Sequence, residues 1–111
     1  DRSPPSRRGA KILRMSCSLS THVLDTALGR PAPGVRVELF DAGELVAWGD
    51  TDADGRIREL AADLKPGAYE IVFHPSSLFF HRVALEVVLE DGHHHVPLLI
   101  SPFGCASYRG S

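Results

Sequence analysis

Apolar and polar residues alternate along several short runs of this chain. Val35-Arg36-Val37-Glu38-Leu39-Phe40 is the clearest of them. Side chains on a strand point to opposite faces in turn, so Val35, Val37 and Leu39 share a core face. Leu19-Ser20-Thr21-His22-Val23-Leu24-Asp25 alternates too and carries β-branched residues, which predicts a strand with His22 on the face of Ser20 and Leu24. Further strands are predicted at Leu45–Gly49, Ala68–His74, Val83–Leu89 and from the His93-His94-His95 triplet to Ile100. Runs dense in Gly, Pro, Asp and Ser separate them. Ala27–Gly34 is a loop, Asp41–Glu44 and Asp50–Arg56 are tight turns, Pro75-Ser76-Ser77 is a break, and Asp91-Gly92 is a hairpin-type turn. Glu59 to Leu64 reads as a short helical turn ended by Lys65-Pro66-Gly67. Seven or eight short strands with at most one short helix predict an all-β sandwich.

Composition changes this picture at the N-terminus. Residues 1–17 are basic and rich in Pro and Ser. Such a run buries too little apolar surface to offset its ordering entropy, so it is expected to be a flexible leader. A targeting segment and an extension upstream of Met15 are both compatible with it. The folded domain is expected over 18–111. A domain of about ninety residues has a limited core, which favours oligomerisation. Twelve basic and fourteen acidic residues leave a net charge of -2. That balance favours neither nucleic acid nor an anionic membrane as partner. Cys17 and Cys105 are too few for a disulfide scaffold and read as reduced thiols in a cytoplasmic protein. No apolar run approaches the length of a membrane span.

Candidate chemistry concentrates in the last nineteen residues, from His93 to Ser111. Parity puts Val96, Leu98 and Ile100 on the core face and His93, His95, Pro97 and Leu99 on the other. Two imidazoles at i and i+2 on a strand suit zinc ligation or proton transfer near neutral pH, and they also suit a solvated strand entrance. Zinc would require a third ligand, and no spacing selects among His22, His74 and His81. His22 alone reads as a hydrogen-bonded strand histidine, Arg56 alone as a solvated turn charge, and Tyr108-Arg109-Gly110-Ser111 alone as a frayed terminus. The Asp50–Arg56 turn lacks the spaced ligands and distal Glu of a calcium loop. No nucleophile elbow, dinucleotide fingerprint or phosphate loop is present.

Four segments together resemble the transthyretin-related family, within it the 5-hydroxyisourate hydrolase branch. They are Leu19–Asp25, Thr51-Asp52-Ala53-Asp54-Gly55-Arg56, His93-His94-His95-Val96-Pro97-Leu98-Leu99 and Tyr108-Arg109-Gly110-Ser111. Gly29-Arg30-Pro31-Ala32 and Gly67-Ala68-Tyr69 resemble it as well, and the likeness runs in order from about residue 18 to the end. The hormone-carrying transthyretins share the fold and lack this tail and these histidines. The resemblance implies a prealbumin-like sandwich that assembles as a homotetramer, a dimer of dimers. It implies hydrolytic ring opening of 5-hydroxyisourate in urate degradation, with no metal or organic cofactor. By motif it implies His22, Arg56, His95 and Ser111 as catalytic positions, with His93, Tyr108 and Arg109 contacting substrate or holding the tail. Eukaryotic members are often peroxisomal, yet this chain carries no Ser-Lys-Leu type signal. A carrier of small aromatic ligands without turnover is the alternative on the same fold.

The chain departs from the family pattern in three places. His94 stands where an aromatic is usual. Cys105-Ala106-Ser107 replaces a Tyr-Ser-Thr run. The stretch between Phe73-His74-Pro75 and Phe79-Phe80 is short, so the strand or loop beside it is expected to be rebuilt.

Overall fold

A computed structural model of the chain describes residues 15–111, so most of the expected leader lies outside the described residues. Nine strands follow in order: β1 Cys17–Asp25, β2 Arg30–Pro31, β3 Arg36–Asp41, β4 Glu44–Asp50, β5 Arg56–Leu64, β6 Gly67–His74, β7 Val83–Leu89, β8 Gly92–Ile100 and β9 Cys105–Ser107. One sheet has the order β2-β1-β8-β9, with β5 also pairing β1. The other has the order β4-β3-β6-β7. The two sheets enclose one core, so the all-β sandwich expected from the alternation is the observed architecture.

The core follows from parity. Leu19 and Val23 of β1, Val37 and Leu39 of β3, Ile71 and Phe73 of β6 and Leu98 of β8 are fully buried. Val35, Val96 and Ile100 join them in the same cluster. β1 starts at Cys17, one residue inside the expected leader, and Cys17 is itself fully buried. Ala42 and Gly43 both have positive φ and close a two-residue β3–β4 hairpin, the geometry whose twist matches the flanking strands.

The helical turn expected at Glu59–Leu64 is corrected. These residues belong to β5, which pairs antiparallel with β1 through Cys17↔Leu64, Leu19↔Ala61 and Thr21↔Ile57. Glu59-Leu60-Ala61-Ala62 has good helix propensity, but that preference is worth only tenths of a kcal/mol per residue. Ladder hydrogen bonds and the burial of Leu60 outweigh it. The register shifts on either side of Leu19 record the compromise, because bulges absorb residues that do not fit the pairing.

The shortened stretch after β6 forms no helix and no strand. The Ser77 hydroxyl accepts the N–H groups of Phe79 and Phe80, and Phe79 packs edge-on against Phe80 and Phe103. His94, where an aromatic is usual, is buried, and its Nε2 meets the backbone of Glu90 across the β7–β8 turn. Cys105-Ala106-Ser107 forms β9, where the Ser107 hydroxyl donates to the Pro97 carbonyl at 2.8 Å.

One buried hydroxyl fixes the turn that leads into β5. Thr51 Oγ1 donates to the Ala32 carbonyl at 2.7 Å and accepts the Val35 N–H at 2.8 Å. It joins the β2–β3 connection to the start of the Asp52–Arg56 turn. Thr51→Val keeps the shape and leaves the Val35 N–H without its acceptor. It is expected to lower the unfolding free energy by about 1–3 kcal/mol, measured by urea denaturation.

Candidate active site

β1 and β8 run parallel and in register, with Ser18 beside His93, Ser20 beside His95 and His22 beside Pro97. Parity therefore places Ser18, Ser20 and His22 of β1 and His93 and His95 of β8 on one outward face. On that face the Ser20 hydroxyl bridges the two histidines, 2.8 Å from His93 Nε2 and 2.7 Å from His95 Nδ1. The Ser18 hydroxyl lies 2.7 Å from His93 Nδ1. The His22 and His95 rings are 6.5 Å apart between centroids and tilted by 47°.

Arg56 reaches the same patch from the other side of β1, where it pairs directly with His22. The Asp52 carboxylate accepts the N–H groups of Arg56 and Asp54, each at 2.9 Å. The Arg56 hydrogen bond is the first cause holding the Asp52 carboxyl below its usual range. Gly55 completes the turn. Its φ is +73°, and an added Cβ would lie 2.5 Å from the Val23 carbonyl and 2.9 Å from Pro31 Cβ. Only glycine fits both the backbone and the space. The next carbonyl back, that of Asp54, accepts a hydrogen bond from His22 Nε2 at 3.0 Å. A carbonyl only accepts, so neutral His22 carries its proton on Nε2 and leaves Nδ1 as its basic nitrogen.

The C-terminal tail arrives over β8. Gly110 forms a bridge with His95, and its N–H donates to the His95 carbonyl at 2.7 Å. A Cβ on Gly110 would sit 2.7 Å from His95 Cδ2, so only glycine allows the chain to pass this close to the imidazole. Ser111 is the next residue. The terminus is thus pinned beside His95 and is not a frayed end.

His22, Arg56, His93, His95 and the Gly110-Ser111 end of the tail come together on one face of the sheet. Tyr108 and Arg109 lie between β9 and Gly110. They border a cleft of about 380 Å³ shared with Glu86, Glu90 and the buried His94. His74, a candidate third zinc ligand, lies on the other sheet and bonds Glu38 at 2.7 Å. Among the described residues no three His, Cys, Asp or Glu side chains converge to hold a metal ion. Sequence reasoning missed Ser20 and Ser18 as partners of the histidines. The signal was Ser-x-Ser-x-His facing His-x-His, and it becomes readable only once the two strands are known to pair in parallel.

Burial is the first cause that holds the His95 imidazole below the ordinary histidine range, followed by electrostatic interaction with His22, Arg56 and His93. His95 therefore stays neutral, and able to accept a proton, at neutral pH. With Nδ1 facing Ser20, Nε2 is the nitrogen left for that proton; among the described residues nothing hydrogen-bonds it.

The profile of the HIUase/Transthyretin family matches residues 19–110, which takes in β1 and reaches into the C-terminal tail. The chain belongs to the HIUase/Transthyretin family. A 5-hydroxyisourate hydrolase 2 of Rhizobium meliloti is 41% identical over 114 residues, covering 84% of this chain and 95% of that one. A 5-hydroxyisourate hydrolase of Deinococcus radiodurans is also 41% identical, over 113 residues. Among solved structures, the 5-hydroxyisourate hydrolase of Klebsiella pneumoniae superimposes with a TM-score of 0.79 at 38% identity, covering 86% of this chain and 99% of that one. An (S)-allantoin synthase superimposes with a TM-score of 0.76 at 30% identity through 44% of its own length. The HIUase/Transthyretin fold thus accounts for the sandwich and for the alignment of β1 with β8.

The electrostatics yield a titration. His95 is expected to titrate below the ordinary histidine value of about 6.5 in an NMR pH series. Between the folded and unfolded values the unfolded chain binds more protons, so the stability linked to His95 is lost as pH falls through that window. Arg56→Met removes one of the depressing charges and is expected to move the His95 midpoint upward. An unchanged midpoint would mean that Arg56 does not act on His95.

Proposed function

We propose that this chain hydrolyses 5-hydroxyisourate to 2-oxo-4-hydroxy-4-carboxy-5-ureidoimidazoline in urate degradation. The observation that carries the reading is the convergence of His22, Arg56 and His95 under a C-terminal tail pinned to His95. Relatives named as 5-hydroxyisourate hydrolases over nearly their whole length support it. A transthyretin-type carrier without turnover would have no use for a neutral, half-buried base beside a guanidinium on the neighbouring strand.

His95 Nε2 takes a proton from water as the water oxygen attacks the ring carbonyl whose C–N bond then breaks. General-base help of this kind is typically worth about 10²–10⁴-fold. A guanidinium stays charged and presents a fork of donors, so Arg56 orients the carbonyl-rich substrate and stabilises the developing oxyanion. Arg56 has no carboxylate partner among the described residues, which leaves its donors for a ligand. His22, held through Asp54, serves as the second proton-transfer group. Ser111 completes the hydrogen-bond set from the tail, which Tyr108 and Arg109 anchor, and His93 contributes from the neighbouring position. These steps need only side chains and water, with no cofactor.

The site lies on an outer sheet face, where water is not excluded, and excluding water strengthens every electrostatic contact. A second copy laid over the face would close it. Among the described residues β7 and β9 end their sheets without a further partner strand, and unpaired edges invite pairing between copies. A homotetramer built as a dimer of dimers uses both features. A cytoplasmic location, with Cys17 and Cys105 as reduced thiols, belongs to the same proposal.

Freshly generated 5-hydroxyisourate is expected to decay faster with the protein than without it, followed by absorbance; no acceleration would refute the assignment. His95→Asn and deletion of Gly110-Ser111 are each expected to lower turnover by at least about tenfold. Near-normal rates in both would place the site elsewhere. Light scattering is expected to return the mass of four copies, and a fully active monomer would contradict the covered-face arrangement.

A further inference from the structure

We propose that Ser20 is a positioning residue and that Ser18, His93, Ser20 and His95 form a proton relay from the reacting water to solvent. The relay rests on the hydrolytic reading above and deepens it. Its groups alternate across two strands: Ser18 Oγ to His93 Nδ1 at 2.7 Å, His93 Nε2 to Ser20 Oγ at 2.8 Å, Ser20 Oγ to His95 Nδ1 at 2.7 Å. Ser20 is 7% exposed, so water does not replace its hydroxyl. His93 is exposed, so the chain has one sheltered end and one open end.

Donor arithmetic gives the relay a direction. A hydroxyl has one proton to donate and lone pairs to accept with. For His95 Nε2 to be the base, Nδ1 carries the proton and donates to Ser20 Oγ. Ser20 then donates to His93 Nε2, which leaves the His93 proton on Nδ1, pointing at Ser18. When His95 Nε2 takes a proton from water, the ring becomes an imidazolium. Its Nδ1 proton passes to Ser20, the Ser20 proton passes to His93 Nε2, and the His93 Nδ1 proton leaves by way of Ser18 and solvent. Each group gives one proton and gains one, and His95 becomes a neutral ring with its proton on Nε2. As the C–N bond breaks, Nε2 hands that proton to the ureido nitrogen, and the chain takes one proton back through Ser18, which restores the Nδ1–H form of His95.

The attack step uses this exit, and the cleavage step uses the same chain in reverse. Water adds its oxygen to the carbonyl carbon and the C–N bond breaks. One water proton ends on the ureido nitrogen. The other is set free, because the new carboxylic acid ionises at neutral pH and a ureido nitrogen is too weakly basic to hold it. The charges that bear on His95 come from three strands: His22 on β1, Arg56 on β5 and His93 on β8. Burial and the permanent charge of Arg56 disfavour a lasting positive charge on His95, so its proton has reason to move on. The tail reaches this residue through the Gly110 N–H, which donates to the His95 carbonyl.

The test is steady-state hydrolysis by the full chain in dilute, non-penetrating buffer. Ser20→Ala is expected to lower kcat by about tenfold with KM little changed, and added imidazole is expected to restore the rate. Ser20→Thr keeps the hydroxyl and is expected to retain the rate. His93→Gln breaks the exposed link and is expected to behave like Ser20→Ala, so the test survives if Ser20→Ala fails to fold. A Ser20→Ala protein with normal kcat, or a loss that imidazole does not repair, would overturn the relay while leaving the hydrolase reading intact. A wild-type protein that does not accelerate decay would overturn the hydrolase reading itself. Nitrogen-15 NMR separates the two without turnover. The relay requires the Nδ1–H tautomer at His95 in the wild type and a mixture in Ser20→Ala. An Nε2–H tautomer in the wild type would overturn the relay whatever the activity.

Discussion

The parallel, in-register pairing of β1 with β8 is the constraint on which the rest depends. Nine consecutive residues from Cys17 to Asp25 lie against nine from Gly92 to Ile100. Parallel strands cannot be joined by a tight hairpin, so the chain between them must travel away and return. Here that excursion builds β2 to β7, including the whole second sheet. The same register decides the chemistry. A slip of one residue would turn every side chain of one strand to the opposite face and bury the histidines. Val96, Leu98 and Ile100 opposite Thr21, Val23 and Asp25 make that slip costly, because their burial is lost with it.

Both faces of this strand pair are in use. The inner face supplies Leu19, Val23 and Leu98 to the core, while the outer face carries a ladder of hydroxyls and imidazoles. Strands hold the histidines, and hydrogen bonds and close backbone contacts hold the turn and the tail. The turn carrying Arg56 is held by Asp52, Thr51 and a glycine that no other residue replaces, and the tail by one hydrogen bond and a second such glycine. Precision at the site therefore comes from strand register and close backbone approach more than from side-chain packing.

Much of this was legible in the sequence. Alternation gave the core faces of β3 and β8 and the shared face of His93 and His95, because a period of two needs no tertiary information. Resemblance brought His22, Arg56 and the tail into one site. Residues Glu59 to Leu64 were misread because weak helix propensity is visible locally, whereas pairing with β1 is not. Ser18 and Ser20 were overlooked because serines in a strand carry no signal until the facing strand is known. Resemblance also named Tyr108 and Arg109, which follow β9 and border the cleft beside His94.

That separation supplies the most direct test of the account, in which the outer face of β1, β5 and β8 receives the substrate. The measurement is a structure of the protein bound to a planar dioxopurine that cannot be hydrolysed. The account predicts the ligand between Arg56, His22 and His95, beside Gly110 and Ser111. A ligand seated instead in the cleft lined by Glu90, His94, Tyr108 and Arg109 would contradict it.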